Sequence, residues 1–402
     1  MKSCEEIYRE LFAGVEAYSL AGNEKNKQAL LNAITKEGQS KKIFLKMMIR
    51  QIINFHSVRR HKHKILIGLG WENIELISFL AQNYDLCILN PSRRLLRFCY
   101  KTGNEVIFSS NSLREALYDL YENRNMGRLL QEMRQIDSEI EEAKFVLFPD
   151  DLEPLLRIYL YRAKEQKMKT ATIQHGYFSE KEKNIGLGKY SDYLLVWGGY
   201  YKRILYEEEP DTKIIRLGYP YPVTGRDLCG GFAGSKILFI GQPRQEKELE
   251  EIVKVLYSYC EKHNLALVYR PHPAENVTDL KQMFNNLEKM TYSTSELIDD
   301  ISDAKVVVSI SSTVILQSLL YKKCVIQIRT SNSFYDFSDA GNVICIDHSP
   351  DQIREALEFA LNNQITGELN PEYLYVNNNY HSDLKNIIDQ SIGKKTDFYT
   401  DI

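Results

Sequence analysis

Two histidines stand at turns where a chain can present a titratable ring to a ligand. His175 ends the apolar run of "KTATIQHG" and is followed by Gly176. A neutral imidazole there can take a proton from a hydroxyl, and a glycine neighbour lets a ligand come close to the backbone. His272 lies in "LVYRPHPAE", between Pro271 and Pro273 and two residues after Arg270. The prolines stiffen the turn, so guanidinium and imidazole meet a phosphate or ribose with little conformational freedom to lose. A third stretch, "SISSTVILQSLLYKK", runs a strand-like "AKVVV" into Ser309, Ser311, Ser312 and Thr313. Hydroxyls and open N–H groups where a helix starts near Thr313 favour an anion, although a plain serine N-cap has the same look. Asp150 and Asp151 follow "KFVLF". They are a base, an orienting pair for His175, or the N-cap of the helix beginning at Leu152.

The elements that must position these groups alternate. Near-continuous apolar strands ("KILIGLG", "DLCILN", "KFVLFPDD", "KTATIQHG", "DYLLVWG") are separated by amphipathic helical segments such as "LEPLLRIYLYRAKEQ". This pattern predicts a parallel sheet covered on both faces. A stretch rich in Gly and Pro, Gly218 to Ser235, reads as a linker, after which "KILFIGQ", "LALVYR", "AKVVVSI", "CVIQIR" and "NVICID" restart the alternation. The expectation is an α/β chain of two doubly wound Rossmann-like domains. Residues 1–222 form the acceptor side, helical over 1–60, and residues 223–402 form the nucleotide-donor side. Two such sheets facing one another would place the histidines and the serine turn in a shared cleft.

Composition narrows the classes. Basic and acidic residues number 51 and 54 for a net charge of −3, so no global field recruits nucleic acid. Seven cysteines are scattered, with no CxxC pair, and Cys87, Cys324 and Cys345 fall inside strand-like runs, as expected of reduced thiols in a cytoplasmic protein. No segment approaches the roughly 20 apolar residues of a membrane span. "GLG" (Gly68 to Gly70) lacks the rest of a dinucleotide fingerprint, so NAD is not inferred. His61 and His63 in "RRHKHK" have no partners in register for zinc. That basic patch, the cationic "KKIFLKMMIRQIINF" before it and "SRRLLRFCYK" are solvated faces or a contact with the inner face of the plasma membrane.

"QHG" after a strand, "LGYP" before the linker, "RPHP", and "ISDAKVVVSISST…LLYKKCVIQI" occur in an order that resembles bacterial GT-B enzymes of surface-polysaccharide synthesis. Nearest are the teichoic-acid CDP-glycerol glycerophosphotransferases and the capsule and lipooligosaccharide transferases that use CMP-sialic acid or CMP-Kdo. The resemblance covers Lys144 to about Ile328. It implies that His175 is the base, matching the glycerophosphotransferase W-H-G with Gln174 in place of tryptophan. His272 matches the HP histidine that contacts the donor phosphate, and Ser311 and Ser312 match the serine motif. The aspartate two residues before that pair is Ser309 here, which favours a CMP-linked sugar over CDP-glycerol.

The reaction implied is inverting and metal-independent. His175, with Asp150 or Asp151, deprotonates a hydroxyl of a glycan or lipid-linked acceptor. Arg270, His272, Ser309, Ser311, Ser312 and Thr313 hold the phosphate of the nucleotide-activated sugar, and no cofactor is required. Three alternatives stand beside it: a CDP-alditol phosphotransferase, a sugar-nucleotide epimerase, and a non-catalytic assembly partner.

Overall fold

The computed structural model describes residues 2–20, 24–35, 63–70, 73–178, 190–205, 212–220, 234–242, 248–272, 275–331, 333 and 335–394. The cationic stretch Lys41 to Phe55, the basic Arg59 to Lys62 and most of the expected linker lie outside them. Two compact units emerge. Met1–Tyr221 with Asn377–Ile402 form the first, and Pro222–Val376 the second.

Unit 1 opens with helices α1 (Cys4–Leu20) and α2 (Glu24–Thr35). Its sheet has seven strands: β1 (Lys64–Ile67), β2 (Asp85–Leu89), β3 (Glu105–Ile107), β4 (Ala143–Phe148), β5 (Lys169–Ile173), β6 (Tyr193–Val196) and β7 (Lys213–Arg216). The spatial order is β3-β2-β1-β4-β5-β6-β7, and every pairing is parallel. Strand periodicity sends alternate side chains to opposite faces. Along β4, Val146 and Phe148 join the core under α1 and α2, whereas Phe145 and Leu147 join the core on the other face. The connecting helices are α3 (Ile74–Ala81), α4 (Arg93–Thr102), α5 (Asn111–Asn123), α6 (Gly127–Ile140), α7 (Pro154–Glu165) and α8 (Gly199–Leu205). At the end of β1 a Cβ on Gly68 would lie 2.8 Å from Phe148 Cδ1, so the first glycine of "GLG" serves close packing.

Unit 2 repeats the plan with β8 (Lys236–Ile240), β9 (Ala266–Arg270), β10 (Thr291–Tyr292), β11 (Ala304–Ser309), β12 (Cys324–Arg329) and β13 (Ile344–Asp347). Their order is β10-β9-β8-β11-β12-β13, again all parallel. Helices α9 (Leu249–Lys262), α10 (Val277–Met283), α11 (Leu297–Asp303), α12 (Val314–Leu320) and α13 (Pro350–Asn362) connect and cover it. Val306 and Val308 pack to one face and Val307 to the other.

The sequence division at 222/223 carried the chain's end into the second unit, and here the structure differs. Helix α14 (Tyr380–Ser391) belongs with unit 1, where Tyr380, Leu384 and Ile388 complete the apolar face formed by Leu76, Leu80 and Tyr84. The Tyr84 hydroxyl donates to Asp389 at 2.8 Å, and His381 stacks on Phe79 with centroids 4.9 Å apart. Each fully buried aliphatic side chain contributes roughly 1.5–3 kcal/mol, so burial decides where this helix docks.

Candidate functional site

In each sheet the first strand has its sequence successor on one side and a later strand on the other. β1 lies between β2 and β4, and β8 lies between β9 and β11. That reversal opens a crevice at the carboxyl ends of the strands, where doubly wound folds bind ligands. The residues singled out from sequence sit on these ends.

In unit 1, His175 follows β5 and is exposed. Its Nδ1 lies 2.8 Å from the Pro149 carbonyl oxygen, which can only accept. The ring therefore donates Nδ1–H, and in its neutral form this places the lone pair on Nε2. Asp150 Oδ1 accepts from the N–H groups of Leu152 and Glu153 at 3.1 and 3.2 Å, closing the turn into α7. Asp151 is fully buried and its Oδ2 accepts from Tyr190 N–H at 2.9 Å. Both aspartates brace the loop that carries the Pro149 carbonyl. Gln174, where the resemblance led to tryptophan, is buried and joins two strands. Its Oε1 accepts from Trp197 N–H at 2.8 Å, and its Nε2 donates to Gly176 O at 2.9 Å.

In unit 2, Arg270 ends β9 and turns toward α11, not toward the serine turn. Its Nη1 meets Asp300 Oδ2 at 2.5 Å and Ser295 O at 2.8 Å. Lys236 Nζ meets Asp300 Oδ1 at 3.2 Å, and Ser293 Oγ also bonds this carboxylate. Burial opposes ionisation of Asp300, but bonds from Ser293, Arg270 and Lys236 outweigh it and hold its pKa below the usual value. His272 is half-buried, and desolvation pulls its pKa down, favouring the neutral ring.

The serine turn after β11 is knit internally. Ser309 Oγ accepts from Ser312 N–H at 3.4 Å, and Ser312 Oγ accepts from Val314 N–H at 3.3 Å. Thr313 is the N-cap residue of α12, a helix of seven residues, and makes no side-chain cap bond. Gln242, buried at the end of β8, faces the same turn. With its oxygen toward the main chain it accepts from Ser311 N–H and Ser312 N–H at 2.6 Å each, while its nitrogen donates to Ser311 Oγ at 3.0 Å. Two N–H donors require an acceptor opposite them, which fixes that orientation. Gln242 and Glu275 escaped the sequence reading because each is a single polar residue in a loop. The usable signals were the glycine before Gln242 and the acid three residues after His272. Among the described residues no group of three or more His, Cys, Asp or Glu could hold a metal ion. Nor is any helix among them long and apolar enough to cross a membrane.

These features define a two-domain α/β protein of GT-B-like fold, as expected from the sequence. No family profile and no curated protein sequence matches the chain. Solved structures do. An S. aureus MnaA–UDP co-structure is similar over 84% of this chain and 100% of its own, at 15% identity and a TM-score of 0.58. The Methanocaldococcus jannaschii UDP-GlcNAc 2-epimerase in complex with UDP-GlcNAc and UDP is similar over 81% of this chain and 99% of its own, at 17% identity and TM-score 0.57. The Neisseria meningitidis UDP-GlcNAc 2-epimerase bound to UDP-GlcNAc gives 14% identity and TM-score 0.56 over 81% and 99%.

The expectation of a CMP-sugar glycosyltransferase of capsule or lipooligosaccharide synthesis is corrected by this finding. UDP-GlcNAc 2-epimerases recur among the similar structures. The physical reason is that strand-end histidines and serine turns mark where this fold receives a ligand, and one fold serves several reactions there.

Proposed function

We propose that this protein acts on a nucleotide-activated sugar and inverts one of its carbons, as a sugar-nucleotide epimerase, with UDP-GlcNAc the first substrate to test. The observation that carries this reading is the likeness in fold to a UDP-bound structure along 100% of that structure's length. The strand ends of unit 2 support it. His272, the Ser311–Ser312 turn and the buried Gln242 gather where a doubly wound sheet takes a nucleotide diphosphate.

Inverting the carbon beside the anomeric centre needs an acceptor for its proton and a leaving group for the electron pair of that C–H bond. The diphosphate supplies the second as its bond to the anomeric carbon breaks, and a proton from solvent reaches the opposite face as the diphosphate rejoins. His175, with Nδ1–H committed to Pro149 and Nε2 open, is the proton acceptor in this reading. Asp150 and Asp151 hold its carbonyl partner in place. His272 and the serine turn bind the diphosphate, and Arg270 steadies the end of β9 through Asp300. Neither a metal nor a redox cofactor is part of this reading.

The test is incubation of the protein with UDP-GlcNAc in D2O with no acceptor, followed by proton NMR. A second sugar nucleotide with deuterium at the inverted carbon is the expected product. If CMP-, CDP-, GDP- and UDP-sugars all remain unchanged while a nucleotide raises the melting temperature, the epimerase reading is wrong.

A further inference from the structure

Glu275, the last residue of "LVYRPHPAE", has had no role so far, yet its carboxylate sits where the loops after β8 and β9 meet. The Tyr269 hydroxyl donates to Oε1 at 2.9 Å, His272 N–H donates to Oε2 at 2.7 Å, and the Gln242 N–H donates to the same carboxylate. Glu275 N–H returns to the His272 carbonyl at 2.8 Å, so the turn is closed from both ends. Gly241 makes the approach possible. A Cβ there would stand 2.2 Å from Glu275 Oε2 and 2.8 Å from Tyr269 Cε1.

Gln242 carries the connection onward to Ser311 and Ser312. β9, β8 and β11 are consecutive in the sheet, so one chain of bonds ties together the loops at three neighbouring strand ends. Burial raises the Glu275 pKa, against the bonds from His272, Tyr269 and Gln242 that favour the charge. A turn that only needed closing could use an exposed polar residue and avoid that desolvation cost.

We infer that Glu275 is a positioning residue of the nucleotide site. It holds the His272 main chain and the Gln242 amide in the arrangement that receives the diphosphate of a nucleotide sugar. This rests on the function proposed above. Glu275 contacts no ligand itself; it acts through His272 and Gln242.

Calorimetric titration of the full chain with UDP tests the assignment in wild type, E275A, E275Q, H272A and the H272A/E275A double variant. E275A weakens UDP on the order of tenfold through misplaced contacts. E275Q, which keeps one acceptor oxygen for the main-chain donors and an amide for Tyr269, recovers binding to within about threefold. Because Glu275 works in part through His272, the loss in the double variant is smaller than the two single losses combined. Should E275A fail to fold, Gly241→Ala displaces the same carboxylate and is held to the same loss. UDP bound equally by wild type and E275A, or losses that add in the double variant, overturn the positioning role alone. A wild-type protein that binds no nucleotide overturns the functional reading and this inference with it.

Discussion

Replacing Asp300 by alanine removes the acid that anchors the end of β9. Its carboxylate pairs with Arg270 at 2.5 Å and Lys236 at 3.2 Å, and these cations keep 24% and 15% of their side-chain surface exposed. At an effective dielectric of ~20 each pair is worth roughly 5–7 kcal/mol before desolvation is subtracted. Deleting the shared partner leaves Arg270 with the Ser295 carbonyl and Lys236 with Asp303 at 3.7 Å, and breaking a buried pair costs about 3–5 kcal/mol. The residual exposure of the cations points to the lower end, about 3 kcal/mol. For a unit the size of Pro222–Val376, at about 2–4 °C per kcal/mol, the transition of unit 2 falls by roughly 6–12 °C.

Differential scanning calorimetry of the intact chain reads this directly, with the transition of unit 1 as an internal reference. The effect also has a pH signature. The Asp300 pKa is lowered from 3.8, so its stabilisation is fully present above that value and is lost as the pH falls through the lower folded value. Wild type and D300A therefore differ in full at pH 7 and converge only in strong acid. A shift under about 2 °C at pH 7, or a difference that disappears already near pH 5, would refute the reasoning.

Three further outcomes follow from the geometry. On the proposed epimerase reading, His175→Ala lowers turnover by about 10²–10⁴-fold while UDP binding by calorimetry persists, because a positioned base acts on the rate and not on the nucleotide. Gly68→Ala drives a methyl to 2.8 Å from Phe148 Cδ1 and costs about 1–3 kcal/mol by urea denaturation. Tyr84→Phe leaves Asp389 without its 2.8 Å hydroxyl donor and costs about 1 kcal/mol, read as faster amide exchange across α14.

Much of the architecture was legible because buried parallel strands declare themselves as unbroken apolar runs. "KILI", "KFVLF" and "AKVVV" could hardly be anything else, and they became β1, β4 and β11. β3, β7 and β10 stayed hidden, since two to four residues such as "EVI", "KIIR" or "TY" cannot show a period. The strand-end position of the two histidines was legible because they follow those runs directly. Their hydrogen-bond partners were not. The Pro149 carbonyl that fixes the His175 tautomer is 26 residues away in sequence, and Asp300, which holds Arg270, is 30 residues away. Long-range pairing of this kind leaves no local pattern. The reaction itself was misread because the motifs describe how a sheet meets an anion, which a transferase and an epimerase share.

The return of α14 to unit 1 reverses the order in which the molecule can be finished during synthesis. The apolar stripe of Leu76, Leu80 and Tyr84 waits for Tyr380, Leu384 and Ile388, which leave the ribosome only after the whole of unit 2. The second unit, though translated later, has every one of its own residues before the first is whole. Unit 1 thus waits through the synthesis of unit 2 with one hydrophobic side uncovered, and deleting α14 would wound the amino-terminal half of the protein.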